Sequence, residues 1–306
     1  MKKVFTDVQK QIEILKSKGL IINNEQDVMH KLARTNYYAL INAYREPFLA
    51  DRKQGERSTY IRGARFEEIF EIYKFDRNIR VIFLKYMLIL ENNFKSAISY
   101  EFSKIYGYQD YLRLENFDNK QSNVKDIFNL ISWLMESLSR SISKNDYITY
   151  YIEKYNYVPF WVLSNTLTLG SIINFYRLMK EDEREYIAKN YFGVKSEDLQ
   201  AYIRLVNSYR NICAHNERFY CVAVGEDIPF NNYYNYFKVT PQKRGNAFAL
   251  LVSMCILLEK EDKQNLLSEL ERQINDTKNN LQSISIAKLY DMMGFPHNWE
   301  KMKKID

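Results

Sequence analysis

Tyr202-Ile-Arg-Leu-Val-Asn-Ser-Tyr-Arg-Asn-Ile-Cys-Ala-His-Asn-Glu-Arg-Phe-Tyr220 divides into two faces when wound as a helix. Tyr202, Leu205, Val206, Tyr209, Ile212, Cys213, Phe219 and Tyr220 share one broad side, which is expected to be buried. The opposite arc carries Arg204, Asn207, Ser208, Asn211, His215 and Arg218. Asn207, Asn211 and His215 lie four apart and stack one turn above another. Arg210 sits at the border of the two arcs, with a side chain long enough to swing towards His215.

The composition around this stretch favours helix. A chain of 306 residues with nine Gly and five Pro has few breakers, which predicts an all-α protein. From Phe66 to Tyr106 neither Gly nor Pro interrupts the helical spacing of Ile69, Tyr73, Asp76, Arg80, Phe83, Met87, Leu90 and Phe94, and Gly107 stops it. Such a helix runs roughly 60 Å, a length at which a bend or break is expected. Towards the N-terminus, Thr6 is placed to cap a first helix to about Lys18, and a second spans about Asn24 to Arg34. Tyr37, Leu40, Ile41 and Tyr44 form a core stripe that ends at Pro47. Residues 49–64 read as a loop and, with Arg65 just beyond, carry the most basic patch, Arg52, Lys53, Arg57, Arg62 and Arg65, either a solvated surface or a contact for phosphate.

Further helices are expected over 123–143, with Ile127, Leu130, Ile131, Leu134, Met135 and Leu138 inward, and over 146–155, 181–191, 247–258, 261–277 and 285–293. Residues 108–121 read as a linker with Tyr108, Tyr111 and Phe117 tucked in, and 222–242 as a loop. Gly170 marks a close helix approach, and Ser196 caps the helix of the opening stretch, with Glu197 and Asp198 in its first turn. We expect a helical subdomain over 1–60 and the main helical domain over 61–306.

Net charge is +6, from 44 Lys plus Arg against 38 Asp plus Glu, a mild bias compatible with an anionic partner. Cys213, Cys221 and Cys255 lack C-x-x-C spacing, and His30, His215 and His297 are scattered. No metal site, cofactor or disulfide framework is therefore expected, and a reducing cytoplasm fits. The longest apolar run, Ala247 to Leu258, is too short for a bilayer, so no membrane association is expected.

Arg210-Asn211-x-x-x-His215 fits the R-x4-H signature of HEPN-fold ribonucleases. The longer string Arg210 to Tyr220 resembles the Abi-like, AbiD/AbiF-type abortive-infection proteins of that superfamily. Asn216 stands where the family often has a second histidine, and Arg218-Phe219-Tyr220 where it has Arg-Leu-Trp. Two further segments look like the family: Tyr37 to Phe48, and Val158-Pro-Phe-Trp161 running on to Gly170. The family's first long helix usually carries an acid and an arginine four on, here Glu91 and Lys95. The resemblance covers about residues 30–260 and implies a HEPN-like bundle with added terminal helices. It also implies RNA cleavage to a 2′,3′-cyclic phosphate and a 5′-OH.

RNA supplies its own nucleophile, the 2′-OH, so cleavage needs a base, an acid and cations for the transition-state charge. His215 can serve as base or acid, and Arg210 as a bidentate clamp on the phosphoryl oxygens. Asn211 can bond the substrate or fix the imidazole. Arg204, Asn207 and Arg218 share the arc and can hold flanking phosphates. Glu91 can orient Arg210 or pair with Lys95 along its own helix. One histidine per chain is too few for both proton transfers, so a homodimer with a composite site is expected. The alternative is a protein that holds a structured small RNA without cutting it.

Overall fold

The computed structural model describes residues 5–51, 58–142, 144–239 and 245–305. Its regular structure there is helical, with two isolated bridges, Ile21 with Arg65 and Leu49 with Tyr60, tying down the N-terminal loops. In chain order the helices are α1 (Val8–Ser17), α2 (Glu25–Thr35), α3 (Phe66–Tyr106), α4 (Val124–Ser141), α5 (Asp146–Tyr155), α6 (Phe160–Leu163), α7 (Leu169–Leu178), α8 (Glu181–Phe192), α9 (Ser196–Ala214), α10 (Asn232–Phe237), α11 (Ala247–Leu257), α12 (Lys260–Asn280) and α13 (Ile286–Met293).

The breaker-free stretch forms one unbroken helix, α3, of 41 residues ending at Gly107. It survives at this length because it is buried on several sides along its course, from Phe66 and Ile69 to Ile98 and Phe102. In that setting tertiary packing rather than propensity carries a helix. α12 runs antiparallel to it. Glu68 accepts from the backbone N–H groups of Gln282 and Ser283, Asn78 donates to Gln273, and Tyr86 donates to Glu269. α6, α7, α8, α9 and α11 pack against the same rod. α11 has nearly every residue buried, as expected of a helix apolar on all sides. One continuous cluster of buried apolar side chains extends from Ile12 to Met302.

Several local expectations are corrected. The first helix is capped by Asp7, whose carboxylate accepts from Lys10 N–H at 2.7 Å, one residue after Thr6. Leu40, Ile41 and Tyr44 are buried as the stripe requires, but Tyr38–Asn42 forms a π-helical turn and Pro47 lies inside a short 3-10 turn. Tyr111 and Phe117 are buried, whereas Tyr108 is exposed. Met135, expected inward on α4, faces out. A short helix, α10, sits in the stretch read as loop, because Asn231 accepts from the N–H groups of Tyr233 and Tyr234 and caps it. Gly170 packs against the Asn207 side chain, with room for a methyl at 3.6 Å. Its contact is thus an ordinary side-chain one, not the backbone approach expected.

Candidate active site

α9 packs against α3, α7, α8 and α11, and its buried face is the predicted one: Tyr202, Leu205, Val206, Tyr209 and Ile212 are buried and Cys213 is half-buried. Its first turn holds Glu197 and Asp198, where the helix dipole favours negative charge. Ser196 is not the cap. It is the first helical residue, and its hydroxyl donates to Glu185 at 2.6 Å.

The helix stops at Ala214, five residues before Phe219. His215 is the cap residue, its N–H donating to Asn211 C=O, and Asn216 turns the chain in the left-handed region at φ 56°. Asn tolerates that conformation better than most residues. The turn that follows is held by an acid on α3. Asp76, with no exposed surface, accepts from the N–H groups of Phe219 (3.0 Å) and Tyr220 (2.7 Å) through one oxygen and from the Tyr44 hydroxyl (2.8 Å) through the other. Arg80, one turn along, lies 3.8 Å from Asp76 and donates to Glu217 C=O at 2.7 Å. Burial pushes the Asp76 carboxyl above its ordinary range, with these donors pulling the other way. The burial of Phe219 and Tyr220 was therefore read correctly for the wrong reason. They are drawn in by this carboxylate, and Phe219 is clasped between Phe83 and Tyr209 at 4.9 and 5.0 Å.

Tyr209 ties the helix end down from the other side. Its hydroxyl lies 2.7 Å from Val222 O and 3.1 Å from Gly245 O. Gly245 has φ +78°, and a Cβ there would lie 2.3 Å from Val224 O. Only glycine fits.

Against this frame the polar arc faces outward. Asn211, His215, Arg204 and Arg218 are exposed, and Asn207 and Arg210 are half-buried. Among the described residues, no hydrogen bond engages the His215 imidazole. Arg210 is held from below: its Nε lies 3.5 Å from Glu91 Oε2 on α3, while Glu91 Oε1 accepts from Lys95 at 2.7 Å. Glu91 thus contacts both Arg210 and Lys95. The contact with Arg210 is an ion pair rather than an aligned hydrogen bond, so its Nε–H and Glu91 Oε2 remain buried without a hydrogen-bond partner. An arginine so placed keeps its terminal nitrogens for an anion, because the guanidinium is a fork with five donors.

The other candidates scatter. Arg218 donates to Ala43 C=O at 2.9 Å and spends part of its capacity pinning the N-terminal segment. Arg204 pairs with Glu226 at 3.5 Å. Arg62 lies exposed in a turn before α3, and Arg52, Lys53 and Arg57 fall outside the described residues. Sequence reasoning noted Asp76 and Arg80 only as members of a helical row. Their signal was the same acid and arginine four apart that directed attention to Glu91 and Lys95, so α3 carries two such pairs, one under the turn and one beside Arg210.

The fold and site together define an all-α protein that presents an arginine, an asparagine and a histidine at the solvent end of one helix. The chain belongs to the family of Abi-like proteins, whose model matches residues 30–221, and that membership supports a role in abortive infection. No curated protein and no solved structure matches it. None of the helices among the described residues is long and apolar enough to cross a membrane.

Proposed function

We propose that this protein is a metal-independent endoribonuclease of anti-phage abortive infection, acting through the R-x4-H arrangement of the HEPN superfamily. The observation that carries the reading is the exposed His215 at the end of α9, unengaged by hydrogen bonds among the described residues, with Arg210 five residues back and paired with the buried Glu91. In this scheme His215 takes the 2′-OH proton, or gives one to the departing 5′-oxygen. Arg210 clamps the phosphoryl oxygens as charge builds on them, and Asn211 binds substrate or orients the imidazole. The bond from the 2′-oxygen to phosphorus forms as the 5′-oxygen leaves, giving a 2′,3′-cyclic phosphate and a 5′-OH. The second proton transfer comes from His215 of a second copy, so the working form is a homodimer with a composite cytoplasmic site.

The test incubates wild-type, Arg210→Ala and His215→Ala proteins with RNA and assays the ends produced. The expected result is cyclic phosphate ends from wild type and a loss of two or more orders of magnitude in both variants, with thermal midpoints little changed. Undiminished cleavage in the variants overturns the reading. One observation favours the alternative of a protein that holds RNA without cutting it: the Arg210 Nε faces Glu91, and no hydrogen bond joins Arg210 to His215. In that case intact RNA co-purifies, and binding falls steeply with salt.

A further inference from the structure

Directly after Lys95, α3 forms one wall of a cleft of about 350 Å³ lined by Ser96, Ser99, Tyr100, Ser103, Lys104 and Trp161, at the lower end of sizes that accept small ligands. Trp161 comes from α6, which packs on α3. Its indole is about half exposed, and Tyr100 more so. Two aromatic faces thus stand open beside a polar floor.

The floor carries hydroxyls. Ser99 is buried and donates to Ser96 C=O at 3.2 Å. Ser103 Oγ is buried and has no hydrogen-bond partner among the described residues. An unsatisfied buried hydroxyl is unfavourable, and an apolar side chain entering the cleft would leave it so. A planar heteroaromatic group with polar edges would instead stack on the rings and satisfy the hydroxyl. At the rim, Lys104 pairs with Glu101 at 3.3 Å and lies 5.9 Å from the Tyr100 ring and 5.7 Å from that of Tyr186.

The cleft stands on the same helix as the acid that holds Arg210. From Glu91 to Tyr100 the axial rise is about 13 Å, and at about 100° per residue the two stand on opposite sides of the helix, so a strand that reaches both passes around α3.

We propose that this cleft receives one base of a single-stranded RNA, stacked on Trp161 and Tyr100 and bonded at its edge by Ser103, so that it selects which base of a strand wrapped around α3 is held there. The proposal rests on the ribonuclease reading for what happens at Arg210, but the base site is tested by binding alone.

The experiment titrates a short fluorescein-labelled single-stranded RNA, followed by anisotropy, with full-length protein carrying His215→Ala to prevent cleavage. A matching set of oligonucleotides has one base removed at each position in turn. Trp161→Ala is expected to weaken binding roughly ten-fold or more, as loss of a base–aromatic stack does, and Trp161→Phe to restore most of it. One abasic position should lower affinity by the same factor, and on that oligonucleotide Trp161→Ala should add nothing further. Ser103→Ala should change the ranking of bases at that position. Unchanged circular dichroism of each variant verifies its fold.

The base site is overturned if the parent does not bind RNA, or if Trp161→Ala binds as the parent does. It is also overturned if that variant loses equally on every abasic oligonucleotide, or if it alters sedimentation while RNA affinity stays fixed, which would make the cleft a protein contact. Cleavage lost in Arg210→Ala and His215→Ala with a silent Trp161→Ala removes the base site alone. A positive cycle with no cleavage by wild type removes the ribonuclease reading and leaves the base site standing.

Discussion

Replacing Asp76 by Ala tests the frame that holds the helix end. The substitution strips the acceptor from two backbone N–H groups, at 3.0 and 2.7 Å, and from the Tyr44 hydroxyl at 2.8 Å. It also leaves Arg80, 6% exposed, without its carboxylate. Hydrogen bonds to a charged acceptor contribute roughly 1.5–3 kcal/mol each, though not additively. Removing one partner of a buried ion pair costs about 3–5 kcal/mol. Against this stands the relief of no longer burying a carboxylate, which the raised pKa of Asp76 reflects. The losses are larger, because three donors and a guanidinium are stranded at once, and we expect net destabilisation of about 3–5 kcal/mol. Asp76→Asn keeps an oxygen for Phe219 and Tyr220 and should cost less than half as much. Urea unfolding gives the difference, and hydrogen exchange locates it: the Phe219 and Tyr220 amides should lose protection well before those of α11. A change within about 0.5 kcal/mol, the range of an ordinary surface substitution, would show that Asp76 does not organise the turn.

Gly245→Ala forces a methyl to 2.3 Å from a carbonyl oxygen at positive φ and should lower stability by at least about 1–3 kcal/mol. Gly170→Ala meets its nearest neighbour at 3.6 Å and should be neutral or stabilising by a few tenths of a kcal/mol to about 1 kcal/mol; thermal melts separate the two. Burial raises the thiols of Cys213 and Cys255 to about 12 and that of Cys221 in the same direction. The native protein should thus react slowly with a thiol-specific disulfide reagent at pH 8 and release three thiols on unfolding. For Cys213 and Cys255 the sign follows from a folded pKa above the unfolded value. Their contribution to stability is complete below pH of about 9 and is lost as pH climbs towards 12, so Cys213→Ala should flatten the alkaline fall of the urea midpoint. Glu91→Gln weakens the charge that steers Arg210 while keeping its shape, and should reduce RNA cleavage more than RNA binding, as paired kinetic and anisotropy measurements would record.

What could be read from sequence was periodic. α3, α5 and the buried face of α9 follow from apolar spacing and from the absence of breakers, because burial of one face is a property of a helix taken alone. What escaped depended on partners distant in the chain. The end of α9 is fixed by Asp76, some 140 positions away, so local spacing carried Phe219 and Tyr220 on as if they were helical. The caps of α1 and α9 were each placed one residue off, where Thr6, Asp7, Lys195 and Ser196 compete for a role that only side-chain geometry decides. Tyr108 and Met135 were placed inward by pattern, yet the surfaces beside them are left uncovered by neighbours that no local rule foresees. The site residues Arg210, Asn211 and His215 were legible as a motif. The contact of Glu91 with Arg210 was legible only as one of two options, and Glu91 makes both contacts.

Because α3 is one continuous helix, the acid beneath the turn, the acid beside Arg210 and the hydroxyl-floored cleft are stations on a single shaft. Inserting one residue between Asp76 and Glu91 would turn everything downstream by about 100°, swinging Glu91 from beneath Arg210 and the serines out of their cleft while Asp76 stayed in place. Spacing along this shaft can therefore change only in steps that restore its phase, and length variants here should come in sets of three or four residues, or of seven.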